Sequence, residues 1–422
     1  MKQRYDSYKP SGIDWIGEIP SHWENTRLKF ECSLKGRIGW NGLKSDEFKV
    51  ESYAYLVTGQ DFVGKDIDWH KCYQIDKWRY DEDPFIQLSN GDLLITKDGT
   101  IGKIALVDNL DKPACLNSGI FVLKFTSDKL MQKYLYWTLV STQLIDFNFY
   151  RAGASTTIQH LYQNVFENMP LVVPSLPEQE AIATWLDEKC SEIDAAIAKV
   201  DREIELIDEL KHSEISRVVT RGLNPDVTLK PSGIDWIGEV PEHWEILKVK
   251  YLVRFSSGDT ITSEQFIDTA EYPVYGANGY RGRFDKFNYS GERILIGRVG
   301  ALCGNVHYTN ERIWCSEHAL ISSKVLGGQE FDYGWLCLLF ESMNLNQYGG
   351  GSAQPVIASS TIENLSIIFP PLTEQQSISD YLDKKCAEID GLKEKLVRKR
   401  ETLKEFRQSI ISEVVTGKRK VN

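Results

Sequence analysis

At 422 residues the chain exceeds what one hydrophobic core usually serves, so two or more domains are expected. A formal net charge of -11 excludes a protein that grips nucleic acid over its whole surface but leaves room for local basic loops, and 11% aromatic residues exclude a low-complexity linker. No basic start precedes an apolar run and no stretch reaches about 18 apolar residues, which predicts a cytoplasmic protein with neither signal peptide nor membrane span.

The first motif is SGIDWIGEIP at residues 11–20, followed by His22-Trp23-Glu24. From there to residue 175 short alternating apolar runs are broken by glycine turns, the pattern of strands and tight turns. GDLLITKDGTIGKIALV, residues 91–107, reads as strand, Asp98-Gly99 turn and strand, since Asp-Gly supplies the positive φ that a tight hairpin needs. CLNSGIFVL from Cys115 and a Gly-Ala-Ser-Thr-Thr loop at 153–157 come next.

Residues 176–222 change period. Leu186, Cys190, Ile193, Ile197, Val200, Ile204 and Ile207 alternate steps of four and three, the seam of a coiled coil, and no Pro or Gly interrupts residues 178–221. Pro177, Glu178 and Glu180 suit a helix start and Gly222 its stop. At about 1.5 Å per residue such a helix is about 65 Å long.

The chain then begins again. SGIDWIGEVP at 232–241 repeats the opening with one Ile to Val change, and His243-Trp244-Glu245 follows. ILIGRVGALCGNVHY at 294–308 answers the first hairpin and aligns Arg298 with Lys97, Gly300 with Gly99 and Gly304 with Gly102. CSEHALISS from Cys315 and Gly-Gly-Ser-Ala-Gln at 350–354 answer the later pieces. LTEQQSISDYLDKKCAEIDGLKEK from Leu372 repeats LPEQEAIATWLDEKCSEIDAAIAK from Leu176. Its seam is Leu382, Cys386, Ile389, Leu396, Leu403, Ile410 and Val414, interrupted by Lys393, Arg400 and Arg407. A period this long means duplicated domains rather than a solenoid.

Charge bears on which helix pairs with which. Residues 176–222 hold 6 Lys/Arg and 12 Asp/Glu, and residues 372–422 hold 12 and 9, so the opposite balance favours one helix packing on the other. Two independent surface helices are the alternative. The paired Trp23 and Trp244, Cys115 and Cys315, and Cys190 and Cys386 are expected as buried packing.

Catalytic constellations are missing from the sequence. Gly99-Thr-Ile-Gly102-Lys103 is followed by Ile104, so it lacks phosphate-loop spacing, and no H-E-x-x-H, G-x-S-x-G or strand-linked G-x-G-x-x-G occurs. Glu317-His318 is expected as an ordinary polar pair and Gly349-Gly350-Gly351 as a flexible turn. Eight cysteines show no metal-ligand spacing and are expected as reduced thiols. No enzyme, metal or cofactor is expected in this chain.

Over nearly its whole length the chain resembles the specificity subunits of type I restriction-modification enzymes, the HsdS family. The residues that carry the resemblance are S-G-I-D-W-I-G-E-[IV]-P with its His-Trp, the G-D-L-L-I-T-K-D-G-T-I-G hairpin, and P-E-Q-E-A-I-A-T-W-L-D leading the helix. It implies an α+β fold: two duplicated mixed α/β target recognition domains joined by two long helices packed as an antiparallel coiled coil, with pseudo-two-fold symmetry. The domains would be residues 1–175 and 223–371, the spacer helices 176–222 and 372–422. The resemblance further implies double-stranded DNA read as a split site and two methyltransferase subunits that supply the S-adenosylmethionine site. Restriction and translocase subunits would join, with ATP and Mg also on the partners.

Base readout calls for polar side chains on turns, whose amide, hydroxyl and guanidinium groups match base edges. The candidates are Thr58, Gln60, Lys97, Thr100, Ser155, Thr156 and Thr157 in the first domain, and Tyr275, Asn278, Arg298, Ser352 and Gln354 in the second. Residues 24–175 carry 17 Lys/Arg against 19 Asp/Glu, and residues 242–371 carry 10 against 14, so phosphate attraction by the subunit alone should be weak. Two other readings remain open: a non-enzymatic adaptor for protein or carbohydrate, and a specificity module of a differently organised restriction system.

Overall fold

The computed structural model describes residues 3–37, 43–141, 161–350 and 355–421. The chain forms two compact units, Met1–Val200 with Lys399–Asn422, and Asp201–Arg398. Each unit holds one mixed α/β domain together with parts of both long helices.

In the first unit the strands of the two larger sheets are β1 (Cys32–Gly36), β2 (Ala54–Val57), β3 (Tyr73–Ile75), β4 (Leu93–Thr96), β5 (Ile104–Leu106), β6 (Ala114–Leu116) and β7 (Ile120–Phe125). They form an antiparallel sheet in the order β5-β4-β7-β1 and a three-stranded sheet β6-β2-β3, where β6 runs parallel to β2. The second unit has β8 (Val253–Ser257), β9 (Tyr272–Gly276), β10 (Gly279–Phe284), β11 (Arg293–Gly297), β12 (Val306–Thr309), β13 (Trp314–Cys315) and β14 (Ala319–Lys324). Its sheets run β12-β11-β14-β8 and β13-β9-β10, again with one parallel pair, β13 on β9. Each strand of these sheets thus has a counterpart seven places on, so the duplication read in the sequence extends to sheet order. Each unit also has a helix beside its sheets, α1 (Gln132–Val140) and α3 (Tyr333–Ser342).

The long helices are α2 (Leu176–Arg221) and α4 (Leu372–Val415). Their ends are the best-covered parts. Ile182, Ala183, Leu186 and Cys190 of α2 share the first core with Ile411, Val414 and Val415 of α4. Ile215, Val218 and Val219 of α2 share the second core with Ile378 and Leu382 of α4. In both cores the start of one helix meets the end of the other. Toward the middle the seam is thinner: Ile193, Val200 and Ile389 are buried, whereas Ile197, Ile204, Ile207, Leu396 and Leu403 are half-buried.

The repeated motifs have structural reasons. Trp23 and Trp244 are fully buried, each against the glycine that ends a long helix. Gly222 has φ +72, and a Cβ there would stand 3.2 Å from Trp244. Gly417 has φ +70, and a Cβ there would meet Pro20 at 2.3 Å and Trp23 at 3.3 Å. Both positions therefore favour glycine on conformation and on space. The glutamine of each helix-leading motif is a buried latch. Gln179 donates to the carbonyls of Lys129 and Pro174 and accepts from Met131 N–H, and Gln375 bonds Pro370 and Asp332 in the same way. All eight cysteines are free, and seven are buried.

Candidate nucleic-acid interface

In the first unit the ends of β2, β4 and β6 surround a cleft of about 510 Å³. Thr58, Gln60 and Thr100, three of the residues singled out by sequence, line it together. The turn after β2 is held by Asp61, 5% exposed, whose Oδ2 accepts from Thr58 N–H at 2.7 Å and from the Thr58 hydroxyl at 2.9 Å. That hydroxyl has spent its single proton on Asp61, so toward a ligand it can only accept. Gly59 lets the turn approach β4, since a Cβ there would lie 2.8 Å from Thr96 Cγ2.

The hairpin after β4 differs from the expected tight Asp-Gly turn. Residues 97–103 form a longer loop, with Gly99 at φ +69 and Gly102 at φ +83. Thr96 pins it: its hydroxyl donates to Thr100 O at 2.6 Å and accepts from Lys103 N–H at 2.9 Å. The hydroxyl of this last strand residue thus adds to the backbone bonds that close the loop, Thr96 N–H to Lys103 O and Gly102 N–H to Thr96 O, both at 3.0 Å. Lys97 is not among the cleft residues. Its Nζ lies 4.8 Å over the Phe121 ring, and its backbone bonds Gly119 O and Leu161 N–H. Phe48, Tyr73, Asp98, Lys103 and Asn117 line the cleft instead and were not foreseen. Asn117 lies in the CLNSG motif, whose repetition was the available pointer. Tyr73 enters through the pairing of β3 with β2, and Phe48, its ring 5.4 Å from that of Tyr73, through the adjoining Lys49–Gln74 bridge, and no local motif announces either.

In the second unit β9 and β10 form a hairpin whose tip is Ala277-Asn278, with Gly276 opposite Gly279 at φ +83. Asn278 is exposed, and its Oδ1 accepts from Asn305 Nδ2 at 3.2 Å. The tip rests on Gly297, where a Cβ would come within 2.3 Å of Ala277 O. Arg298 repeats the backbone role of Lys97: its N–H donates to His318 O and its carbonyl accepts from Ile357 N–H. The side chains diverge, for Arg298 Nη1 donates to Ser257 Oγ at 3.2 Å. Its Nε is buried without a partner among the described residues. Tyr275 is half-buried against the small core of Leu295, Ile313 and Cys315, and burial pushes its phenol upward. His307 packs under Gly279, and burial pushes its imidazole below the ordinary value. Glu317 and His318 pair at 3.4 Å. Ser155, Thr156, Thr157, Ser352 and Gln354 lie outside the described residues.

The two units therefore present one framework with different functional groups: a polar cleft in the first, a projecting amide and a guanidinium in the second. Among the described residues no group of three or more His, Cys, Asp or Glu could hold a metal ion, and no helix is long and apolar enough to cross a membrane.

The model of the type I restriction modification DNA specificity domain matches residues 43–206 and 241–397, once for each unit, and the chain belongs to that family. It is 36% identical over 137 residues to the Escherichia coli type I restriction enzyme EcoprrI specificity subunit, a match covering 32% of this chain and 33% of the relative. It is 25% identical over 432 residues to the putative MjaX specificity subunit of Methanocaldococcus jannaschii, covering 96% of each chain. A solved structure bearing on complex assembly and conformational transition of the type I R-M system shares the fold, with a TM-score of 0.72 at 16% identity over 94% of this chain and 98% of that one.

Proposed function

We propose that this chain is the DNA sequence-specificity subunit of a type I restriction-modification complex, and that each unit reads one half of a bipartite site in double-stranded DNA. The observation that carries the reading is the contrast at matched positions. Lys97 and Arg298 make backbone bonds at matching positions, to Gly119 and Leu161 and to His318 and Ile357, yet place unlike side chains, and the Thr58-Gly59-Gln60 turn answers the Ala277-Asn278 tip. A shared frame bearing different donors and acceptors is what reading two different half-sites requires.

In this reading residues 1–175 and 223–371 are the heads, and residues 176–222 and 372–422 are the spacer helices of an antiparallel coiled coil with pseudo-two-fold symmetry. The ion pairs of Arg407 with Asp194, Lys393 with Asp208 and Lys211 with Asp390 support the antiparallel sense, because later residues on α2 meet earlier residues on α4. A two-fold object reads separated half-sites, and unlike heads make those halves unlike. Methylation, ATP hydrolysis and cleavage belong to two methyltransferase subunits and to restriction and translocase subunits, which carry S-adenosylmethionine, ATP and Mg.

The test is co-expression with an adenine methyltransferase subunit and sequencing of the methylated motif. Two unlike half-sites at a fixed gap are expected. Methylation without sequence preference, or none while the chain captures another protein or a glycan, would favour the adaptor reading.

A further inference from the structure

Beside the first head, where α2 begins, a pocket of about 410 Å³ is lined by His22, Glu24, Thr26, Glu31, Asp128 and Lys129, among others. Glu31 is only 6% exposed. Its Oε1 accepts from the Thr26 hydroxyl at 2.7 Å, while Oε2 is buried with no hydrogen-bond partner among the described residues. A buried carboxylate oxygen left without a donor is costly, and native structures rarely keep one without use.

The fold does not require it. Glu31 immediately precedes β1 as Leu252 immediately precedes β8, and Leu252 is fully buried. Thr26 sits in the strand Glu24–Arg27 as Leu247 sits in Glu245–Lys248. The second unit thus builds the same corner from two leucines. Around the pocket Glu24, Glu31 and Asp128 face a single lysine, Lys129, which lies 3.9 Å from Glu24. Phosphate is repelled from such a site, so DNA does not fit it. A flat guanidinium with five donors suits a carboxylate that already has one oxygen bonded and one empty.

We propose that this pocket receives an arginine of a methyltransferase subunit docking at the start of α2, with Glu31 and Asp128 as its carboxylates. The inference rests on the functional reading above. Because Leu252 replaces Glu31 in the other unit, the two docking sites are unequal: one methyltransferase copy gains an ion pair that the other lacks.

The experiment titrates the full chain with the methyltransferase subunit and follows stoichiometry by native mass spectrometry, for wild type, Glu31→Leu and Glu31→Gln. Glu31→Leu copies the residue of the second unit and is expected to fold with unchanged or higher thermal stability. Glu31→Gln keeps the shape and loses the charge. Both are expected to bind one copy as wild type does and the other about tenfold or more weakly, with every base of the methylated motif unchanged. A wild type that binds two copies and variants that bind both equally tightly overturn this inference alone. A wild type that binds no methyltransferase overturns the functional reading and takes this inference with it.

Discussion

Lys393 of α4 holds its ammonium 2.7 Å and 2.8 Å from the two carboxylate oxygens of Asp208 on α2. In the sequence Lys393 and Arg407 interrupt the apolar seam, but in the structure they supply cross-helix ion pairs, Arg407 reaching Asp194 at 2.8 Å. Both members of the Lys393 pair are only half-buried, so the pair contributes roughly 0.2 to 1 kcal/mol and serves pairing sense more than stability. Lys393→Glu is expected to lower the melting temperature by a few degrees at low salt, and adding Asp208→Lys to recover most of the loss. A double-mutant cycle with no coupling would remove this pair from the account.

Glu214 makes stability depend on pH. Its carboxylate bonds Arg217 at 2.8 Å and accepts from the Tyr381 hydroxyl at 2.8 Å. The Arg217 bond foremost holds its pKa below the ordinary 4.5, against some opposing burial. A depressed folded-state value means stability that is fully present above about pH 4.5 and is lost as pH falls through the folded value. Glu214→Gln should therefore melt lower than wild type at pH 7, and the two melting curves should converge as the pH falls below the depressed folded-state value. A gap that persisted or widened in acid would contradict this assignment.

Periodicity shows that residues 176–222 are helical but not what covers each stretch, which is why the seam gave no warning that Leu186 and Val219 lie in separate cores. The stop at Gly222 is legible in the sequence as φ punctuation, whereas Gly417 carries no such reading there. The second reason for both glycines, the tryptophan ring pressed on each, needs tertiary contact. The same limit applies to the interface. Turn chemistry points to Thr58, Gln60, Lys97 and Thr100 alike, and in the structure three of them share a cleft while the Lys97 ammonium lies 4.8 Å over the Phe121 ring. Glu31 escaped notice because a lone acid in an ordinary stretch carries no pattern until its copy, Leu252, is superimposed on it.

Unlike heads predict separable mutants. Gln60 lines the first cleft with an exposed amide, and Asn278 tops the second hairpin. If each reads a base edge, Gln60→Ala relaxes only one half of the methylated motif and Asn278→Ala only the other. Discrimination at the affected base should fall by about tenfold, within the roughly 1 to 3 kcal/mol of a good base contact. Gly297→Ala should act on the second half as well, since its methyl group would collide with Ala277 O and displace the tip. Motif mapping that showed either alanine variant altering both halves would sink the one-head, one-half assignment.

The helices predict how far apart the halves lie. Four residues inserted after Val200 in α2 add about one helical turn, roughly 5 to 6 Å, and return the seam close to its original face. At about 3.4 Å per base pair the unread gap should lengthen by one or two base pairs. The half-sites should stay as they were, because no cleft or hairpin residue lies on the inserted stretch. Restriction of foreign DNA bearing the old gap should then cease while DNA bearing the new gap is methylated. An insert that changed the half-sites and kept the gap would mean that the heads are spaced by something other than their helices.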